Sequence, residues 1–336
     1  MNSTVEQTIK NTKRQPTRKI ASAFLLRSSS YKRSSRSIQK EDLVEAKSCS
    51  FCGSLDRSQV TVVSKKPEVS LLSCSRCHLS SVNFLPTKSF LKSFYESYYE
   101  PTTDDYEILH ERITHFSKHI VQSFKQVFPF KSECPISILD FGGGKDASVS
   151  QEVARLLLSR NMVSKVDISL FDWNALEVQT QPHEKITLSK KNELEVTHKK
   201  YNLIIASAIL EHVLEPRAEL EKLLSCLEPG GILYVRTPFW RDLARFLNKI
   251  RIPIDLMFPD HLHDLGSDFW ENCLSFLPNG THKFKIVTSR PAPVATRFFR
   301  HPLRTTFAHL LKFPFLILGS RYTLVGSWEA MFQRIK

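Results

Sequence analysis

No apolar run in the 336-residue chain approaches the roughly 18 residues that a membrane-spanning helix needs. The longest candidate, Phe313 to Leu318, is short and flanked by Lys312 and Arg321. Acidic residues are nearly missing from the first 40 positions, which hold ten Lys/Arg against Glu6 alone. That stretch is also serine-rich and poor in large apolar side chains, so it cannot bury enough surface to offset the entropy of ordering. Residues 1–42 are expected to be a disordered basic tail, with an organelle-targeting segment as the alternative. The tail has no apolar core of the kind a secretory signal carries, which argues against export. It accounts for nine of the thirteen excess positive charges, so the rest of the chain offers little basis for a nucleic-acid face. Seven cysteines, an odd number, argue against a fully paired disulfide framework and favour a reducing, cytoplasm-like compartment.

With 41% hydrophobic residues, the chain can build a real core. Its length suits one α/β domain with one or two smaller units. The most informative run is Ile138-Leu139-Asp140-Phe141-Gly142-Gly143-Gly144-Lys145-Asp146. An apolar strand ends there in a carboxylate, a glycine triplet follows, and a helical pattern runs from Ala147 to Leu158. Glycines let backbone pass close beneath a ligand, and the helix N-terminus beyond offers unpaired N–H groups. An open α/β sheet builds a nucleotide-like cofactor site in this way, at the carboxyl end of its first strand.

Further strands are expected at Asp167–Phe171, Tyr201–Ser207 and Ile232–Thr237, alternating with helices as a doubly wound sheet requires. Asp172 closes the first of these, the second strand of the sheet, where a carboxylate can bind a cofactor ribose. Glu228-Pro229-Gly230-Gly231 reads as a sharp stop and turn. A helix is expected over Ile108–Phe128, and a final antiparallel pair over Phe284–Ser289 and Tyr322–Phe332.

Upstream, Cys49-Ser50-Phe51-Cys52-Gly53 and Cys74-Ser75-Arg76-Cys77-His78 form two CxxC knuckles separated by a predicted hairpin. Two-residue spacing brings both thiolates of a knuckle to one tetrahedral ion, so Cys49, Cys52, Cys74 and Cys77 are expected to bind structural zinc. His78 is the alternative fourth ligand. Cys134, Cys226 and Cys273 are expected to be ordinary buried thiols. The aromatic run from Leu91 to Tyr99 either packs this ribbon on the next domain or lines an acceptor pocket.

In order along the chain, Leu139-Asp140-x-Gly-x-Gly, Asp172, Tyr-Asn-Leu-Ile-Ile-x-Ser, Leu-Glu-His-Val and Leu-Glu-Pro-Gly-Gly-Ile-Leu resemble the class I S-adenosylmethionine-dependent methyltransferases. The resemblance covers about residues 132–240. The preceding cysteine pairs make the chain similar to the zinc-ribbon subgroup, which includes sugar methyltransferases of bacterial polysaccharide and antibiotic pathways. It implies a Rossmann-like doubly wound sheet with a small N-terminal zinc ribbon. It divides the chain into a tail (1–42), a ribbon (43–85), a helical linker (86–131) and a catalytic domain (132–336) with a basic apolar insertion at about 292–320. It also implies S-adenosylmethionine contacts at Asp140, Gly142, Gly144 and Asp172, with an adenine-side contact at Asn192. Two positions depart from the family. Asp146 stands where a third glycine is usual, and Asn202 where an acid is. Asp146 could cap the following helix, yet its charge opposes a cofactor carboxylate.

Methyl transfer needs a base only when the acceptor must lose a proton. His212 is the candidate, with Glu211 to orient it or bind the acceptor. Asp260-His261-Leu262-His263-Asp264 is read as a substrate-contact or loop-bonding segment in preference to a metal site. Basic residues interleaved with Phe and Leu from Arg297 onward suit contact with a membrane surface or a lid over a lipid-linked acceptor. The expected acceptor is a small molecule, either a sugar or another cell-envelope precursor. Competing readings are an RNA methyltransferase, which lacks here an Asn/Asp-Pro-Pro-aromatic element after the fourth strand, and a catalytically inactive binding protein.

Overall fold

A computed structural model describes residues 38–98, 103–144, 146–172, 183–191, 199–250, 256–294, 298–299, 302–319 and 322–335. Asn192 and the tail residues 1–37 lie outside the described residues.

Five short strands come first: β1 (Leu43–Glu45), β2 (Arg57–Lys65), β3 (Glu68–Cys74), β4 (Ser80–Val82) and β5 (Phe84–Pro86). Two helices follow, Lys88–Tyr98 and Thr103–Val127. The main sheet is then laid down by β6 (Ile136–Phe141), β7 (Val166–Phe171), β8 (Ile186–Lys191), β9 (Tyr201–Ser207) and β10 (Leu227–Phe239). After the two-residue β11 (His263–Asp264), it is completed by β12 (Phe284–Pro291) and β13 (Gly326–Arg334).

The seven strands lie in the order β12-β13-β10-β9-β6-β7-β8. Strands β10, β9, β6, β7 and β8 run parallel, and β13 is antiparallel to both neighbours. The chain moves outward from β6 through β7 to β8, then returns to place β9 on the other flank of β6. Strand order therefore reverses beside β6, where doubly wound sheets open a crevice for a ligand.

Period-two alternation sends the apolar residues of each strand to two separate cores. Ile136 and Ile138 of β6, with Leu203 and Ile205 of β9, pack against Ile120, Phe124, Val153 and Leu157 of the helices Thr103–Val127 and Ser148–Ser159. Leu139, Phe141, Ile204 and Ala206 face the opposite side. There they meet Leu220 and Leu223 of the helix Pro216–Ser225 and Phe269 and Trp270 of the helix Ser267–Asn272. Cys49, Phe51, Cys74, Cys77 and Leu79 join that second core, and the Phe51 ring meets Phe269 edge-on at 4.8 Å.

The cysteine-bearing strands also share a sheet with the downstream region. Their order is β11-β4-β3-β2, with His263 opposite Ser81 and Asp264 opposite Ser80. The ribbon and the downstream segment His263–Asp264 are thus joined by hydrogen bonds as well as by side-chain packing.

Two local expectations are corrected. Glu228–Gly231 is taken into β10 as an irregularity between Leu227 and Ile232, because Gly231 is tucked against the Tyr201 carbonyl where a Cβ would come within 2.7 Å. Cys134 is exposed, whereas Cys226 and Cys273 are buried as expected.

Candidate functional site

Asp140 lies one residue before the end of β6 and is 3% exposed. Its Oδ2 is buried without a hydrogen-bond partner. Burial pushes its carboxyl up to about 6 against hydrogen bonds involving Ser150, and the nearby Asp172 carboxylate adds to the rise. A buried polar atom left without a partner is costly in isolation, so this oxygen is suited to a ligand donor.

The glycine turn folds directly over this group. Gly143 approaches so closely that an added Cβ would fall 2.3 Å from Asp140 Cγ. Gly142 has φ +74° and touches Ile209, while its N–H donates to the Phe171 carbonyl at 2.7 Å. The Gly144 N–H donates to Asp172 Oδ2 at 2.9 Å. Asp172 therefore ties the turn to the end of β7.

Asp146 does not cap the following helix. Ala147 occupies the cap position in the left-handed region with no side-chain bond, and Asp146 uses its backbone carbonyl to accept from Gln151 Nε2. Asn202 occupies the other departure. Its Oδ1 accepts the Ser137 N–H at 2.8 Å, bracing β6 against β9 without a charge.

The turn after β9 carries Ile209 against Gly142 and places Glu211 and His212 two and three residues further on. Glu211 is 1% exposed, and its backbone carbonyl accepts from the N–H groups of Leu262 and His263. Burial pushes the Glu211 carboxyl up to about 7, with His212 opposing the shift, and Oε2 has no partner. His212 Nδ1 lies 2.8 Å from the Asp260 carbonyl oxygen and 3.1 Å from its Oδ1. Burial alone would lower the His212 pKa, but the Asp260 and Glu211 carboxylates outweigh it and raise it to about 9. Nε2 is then the ring nitrogen left for chemistry, 3.8 Å from Glu211 Oε1.

Two aromatic groups from distant segments complete this cluster. The Tyr95 hydroxyl donates to Asp260 Oδ1 at 3.3 Å, and His261 meets the His212 ring edge-on at 4.9 Å between centroids. The aromatic segment thus divides its work. Phe90, Leu91 and Phe94 pack on Val69, Leu71 and Leu262, while Tyr95 reaches the polar cluster. His263 turns away to donate from Nε2 to the Val213 carbonyl at 2.8 Å, and burial pushes its pKa down to about 4. The two histidines of the HxH pair therefore do different things. Asp260 and Tyr95 fall in the two segments read from the sequence as contact or pocket-lining stretches, but their joining is not legible there, because His212 and Asp260 stand 48 residues apart and Tyr95 and Asp260 stand 165 apart.

Residues 112–276 match the family described as a methyltransferase domain. The chain carries a methyltransferase domain. It is S-adenosylmethionine-dependent in kind, and the Asp140–glycine turn–Asp172 crevice fits that cofactor in its buried, unpartnered acceptor and its close backbone approach. No curated protein matches the chain. Among solved structures, it is similar to a chain of a complex between the Haloferax volcanii Trm112 methyltransferase activator and a methyltransferase, at 12% identity and TM-score 0.42 over 68% of this chain and 92% of that one. It is similar to loganic acid methyltransferase with SAH at 12% identity and TM-score 0.42, over 67% and 94% of the two chains. It is also similar to the plantazolicin methyltransferase BpumL with SAH at 14% identity and TM-score 0.42, over 70% and 91%.

Beside the methyltransferase domain, the four candidate zinc ligands converge. The sulfurs of Cys49, Cys52, Cys74 and Cys77 lie within 4.8 Å of one another, with Cys49–Cys77 and Cys52–Cys74 both at 3.5 Å. A tetrahedral zinc with bonds of about 2.3 Å spaces its sulfurs roughly 3.8 Å apart, so the set fits. The two knuckles have matching backbones. Gly53 (φ +75°) and His78 (φ +62°) each return an N–H to the first cysteine's carbonyl, at 2.9 and 3.1 Å. His78 is not among the converging ligand atoms.

Proposed function

We propose that the chain transfers a methyl group from S-adenosylmethionine to a hydroxyl or carbon acid of a small molecule, a sugar or other cell-envelope precursor. Asp140, Gly142, Gly144 and Asp172 hold the cofactor, and Asn192 contributes on the adenine side. When bound, the cofactor supplies an electrophilic methyl on a sulfonium. The residues of this chain then have to hold the acceptor, exclude water and take one proton.

The observation that supports this most is the Asp260–His212 pair. A carboxylate on Nδ1 fixes the imidazole tautomer and orientation, leaving Nε2 to accept the acceptor's proton. At about 9, His212 is a stronger base than a free imidazole. Nε2 accepts a proton only when the ring is neutral, so transfer should rise as the pH approaches that value. Glu211 stabilises the imidazolium that results, and Tyr95 and His261 contribute acceptor contacts. Cys49, Cys52, Cys74 and Cys77 hold a structural zinc within a module spanning 43–85. The exposed apolar segment near residues 298–318 favours a lipid-linked form of the acceptor.

The test is transfer of labelled methyl from S-adenosylmethionine into fractionated cell extract. Label should enter a small-molecule or lipid-linked fraction. His212→Asn should lower kcat by roughly 10²–10⁴-fold while cofactor affinity stays within about two-fold. Label entering RNA, or full activity in the variant, would refute the reading.

A further inference from the structure

Nine of the fifteen exposed large apolar side chains described fall within residues 298–318. Phe299 is 97% exposed, Leu316 79% and Ile317 75%. The helix Pro302–Lys312 is turned opposite to a packed one. Leu303, Phe307 and Leu310, at i, i+4 and i+7, form an apolar stripe that faces outward, and it is Thr305 that is buried at 3% exposure. An apolar stripe of this size on a domain surface marks a contact with something else.

The same segment is anchored on its inner side. Lys312 Nζ donates to Ser327 Oγ at 3.0 Å and to the Ala292 carbonyl, and the Phe315 ring meets Trp328 edge-on at 5.6 Å. Ser327 and Trp328 pair with Pro238 and Thr237, near the carboxyl end of β10. Because β10 runs parallel to β6 and β7, the apolar face sits at the end of the sheet that carries the glycine turn.

Charge identifies the occupant. Between Glu271 and Glu329 the chain has eight Lys/Arg and no Asp or Glu. Outward apolar side chains in a basic, acid-free stretch match the interface of an anionic bilayer, with apolar groups entering the acyl boundary and cations meeting headgroup phosphates. A protein partner of ordinary composition would not require the whole stretch to be free of acids. We propose that this face docks on an anionic lipid surface, holding the carboxyl end of the sheet, with its cofactor crevice, near the membrane. The docking stands independently of which acceptor is methylated.

The test uses the full chain and vesicles of phosphatidylcholine with or without phosphatidylglycerol. Co-sedimentation should occur with the anionic vesicles and fall as salt is raised. Combined Phe299→Ser, Leu303→Ser and Leu316→Ser should cut the partition coefficient at least roughly ten-fold, because each removes apolar area that would enter the interface. The basic tail is retained in both proteins, so the difference isolates the apolar face. Thermal unfolding and S-adenosylmethionine affinity should be unchanged, which separates lost docking from lost folding. Equal binding by parent and variant overturns the proposal. So does a parent that ignores anionic vesicles, or one that forms a dimer which the substitutions dissociate without vesicle binding.

Discussion

Replacing Asp260 by Asn tests the electrostatics of the polar cluster with almost no change in shape. In the native protein the Asp260 carboxylate contributes most of the rise that carries His212 to about 9 from an ordinary value of 6.5. The folded-state pKa is the higher one, so the stabilisation is fully present below pH 6.5 and is lost as the pH rises through 9. A gap of about 2.5 units corresponds to about 3 kcal/mol at 1.36 kcal/mol per unit, and partial solvent access makes that an upper figure. Asp260→Asn should bring the His212 pKa well down, since burial is then opposed only by Glu211 and by the residue-260 backbone carbonyl. The assay is urea unfolding at pH 6 and pH 9.5, paired with NMR titration of the His212 ring. Parent stability should fall by about 2–3 kcal/mol more than the variant's across that window. If His212 in the parent titrates near 6.5, or the variant shows the same pH slope, the assignment of His212 to an Asp260-held imidazolium is wrong.

Asp140→Asn should separate folding from cofactor binding. The folded-state pKa of about 6 lies above the unfolded 3.8, so ionising this buried carboxyl opposes folding increasingly as pH rises through that interval. At pH 8 the variant should be about 2–3 kcal/mol more stable without cofactor, by chemical denaturation, yet bind S-adenosylmethionine at least roughly ten-fold more weakly. Gly143→Ala should also weaken cofactor binding, because its Cβ would collide with the Asp140 carboxyl; unchanged affinity would mean that the turn moves freely. Stripping zinc after thiol modification should release close to one ion per chain. It should also lower the melting temperature of the methyltransferase domain, since Cys49, Phe51 and Cys77 share a core with Phe269 and Trp270. Glu329→Gln should cost about 2 kcal/mol by denaturant unfolding without altering cofactor affinity. It removes a buried carboxylate that accepts from Tyr234 (2.8 Å), His119 (2.8 Å) and Arg290 (2.7 Å). Its pKa is held below the ordinary value, so the parent's advantage should shrink as pH falls through the folded-state pKa.

The parts of the fold that repeat locally could be read from the chain. Ile136–Phe141 and Tyr201–Ser207 declare themselves by short apolar runs bounded by turn residues. The knuckles declare themselves by spacing, and Gly53 and His78 take matching positive-φ positions in their backbones. What the sequence hid is long-range. The pairing of His263–Asp264 with Ser80–Ser81, the Asp260 contact to His212 and the hydroxyl of Tyr95 join segments with no shared period. Asp146 shows the opposite error. A carboxylate before a helix suggests a cap, but Ala147 takes a left-handed conformation and leaves the cap without a side-chain bond. Gly230 and Gly231 have the composition of a turn, yet β10 carries through them as an irregularity, with Gly231 packed against the Tyr201 carbonyl.

Titration calorimetry with S-adenosylmethionine, run side by side on the parent, Asp140→Asn and Gly143→Ala, tests the central claim most directly. The parent should bind saturably at one site per chain, and both variants should bind at least roughly ten-fold more weakly while remaining folded. Absence of binding by the parent at millimolar cofactor, or equal affinity in all three proteins, would contradict the assignment of the cofactor crevice to the Asp140–glycine turn.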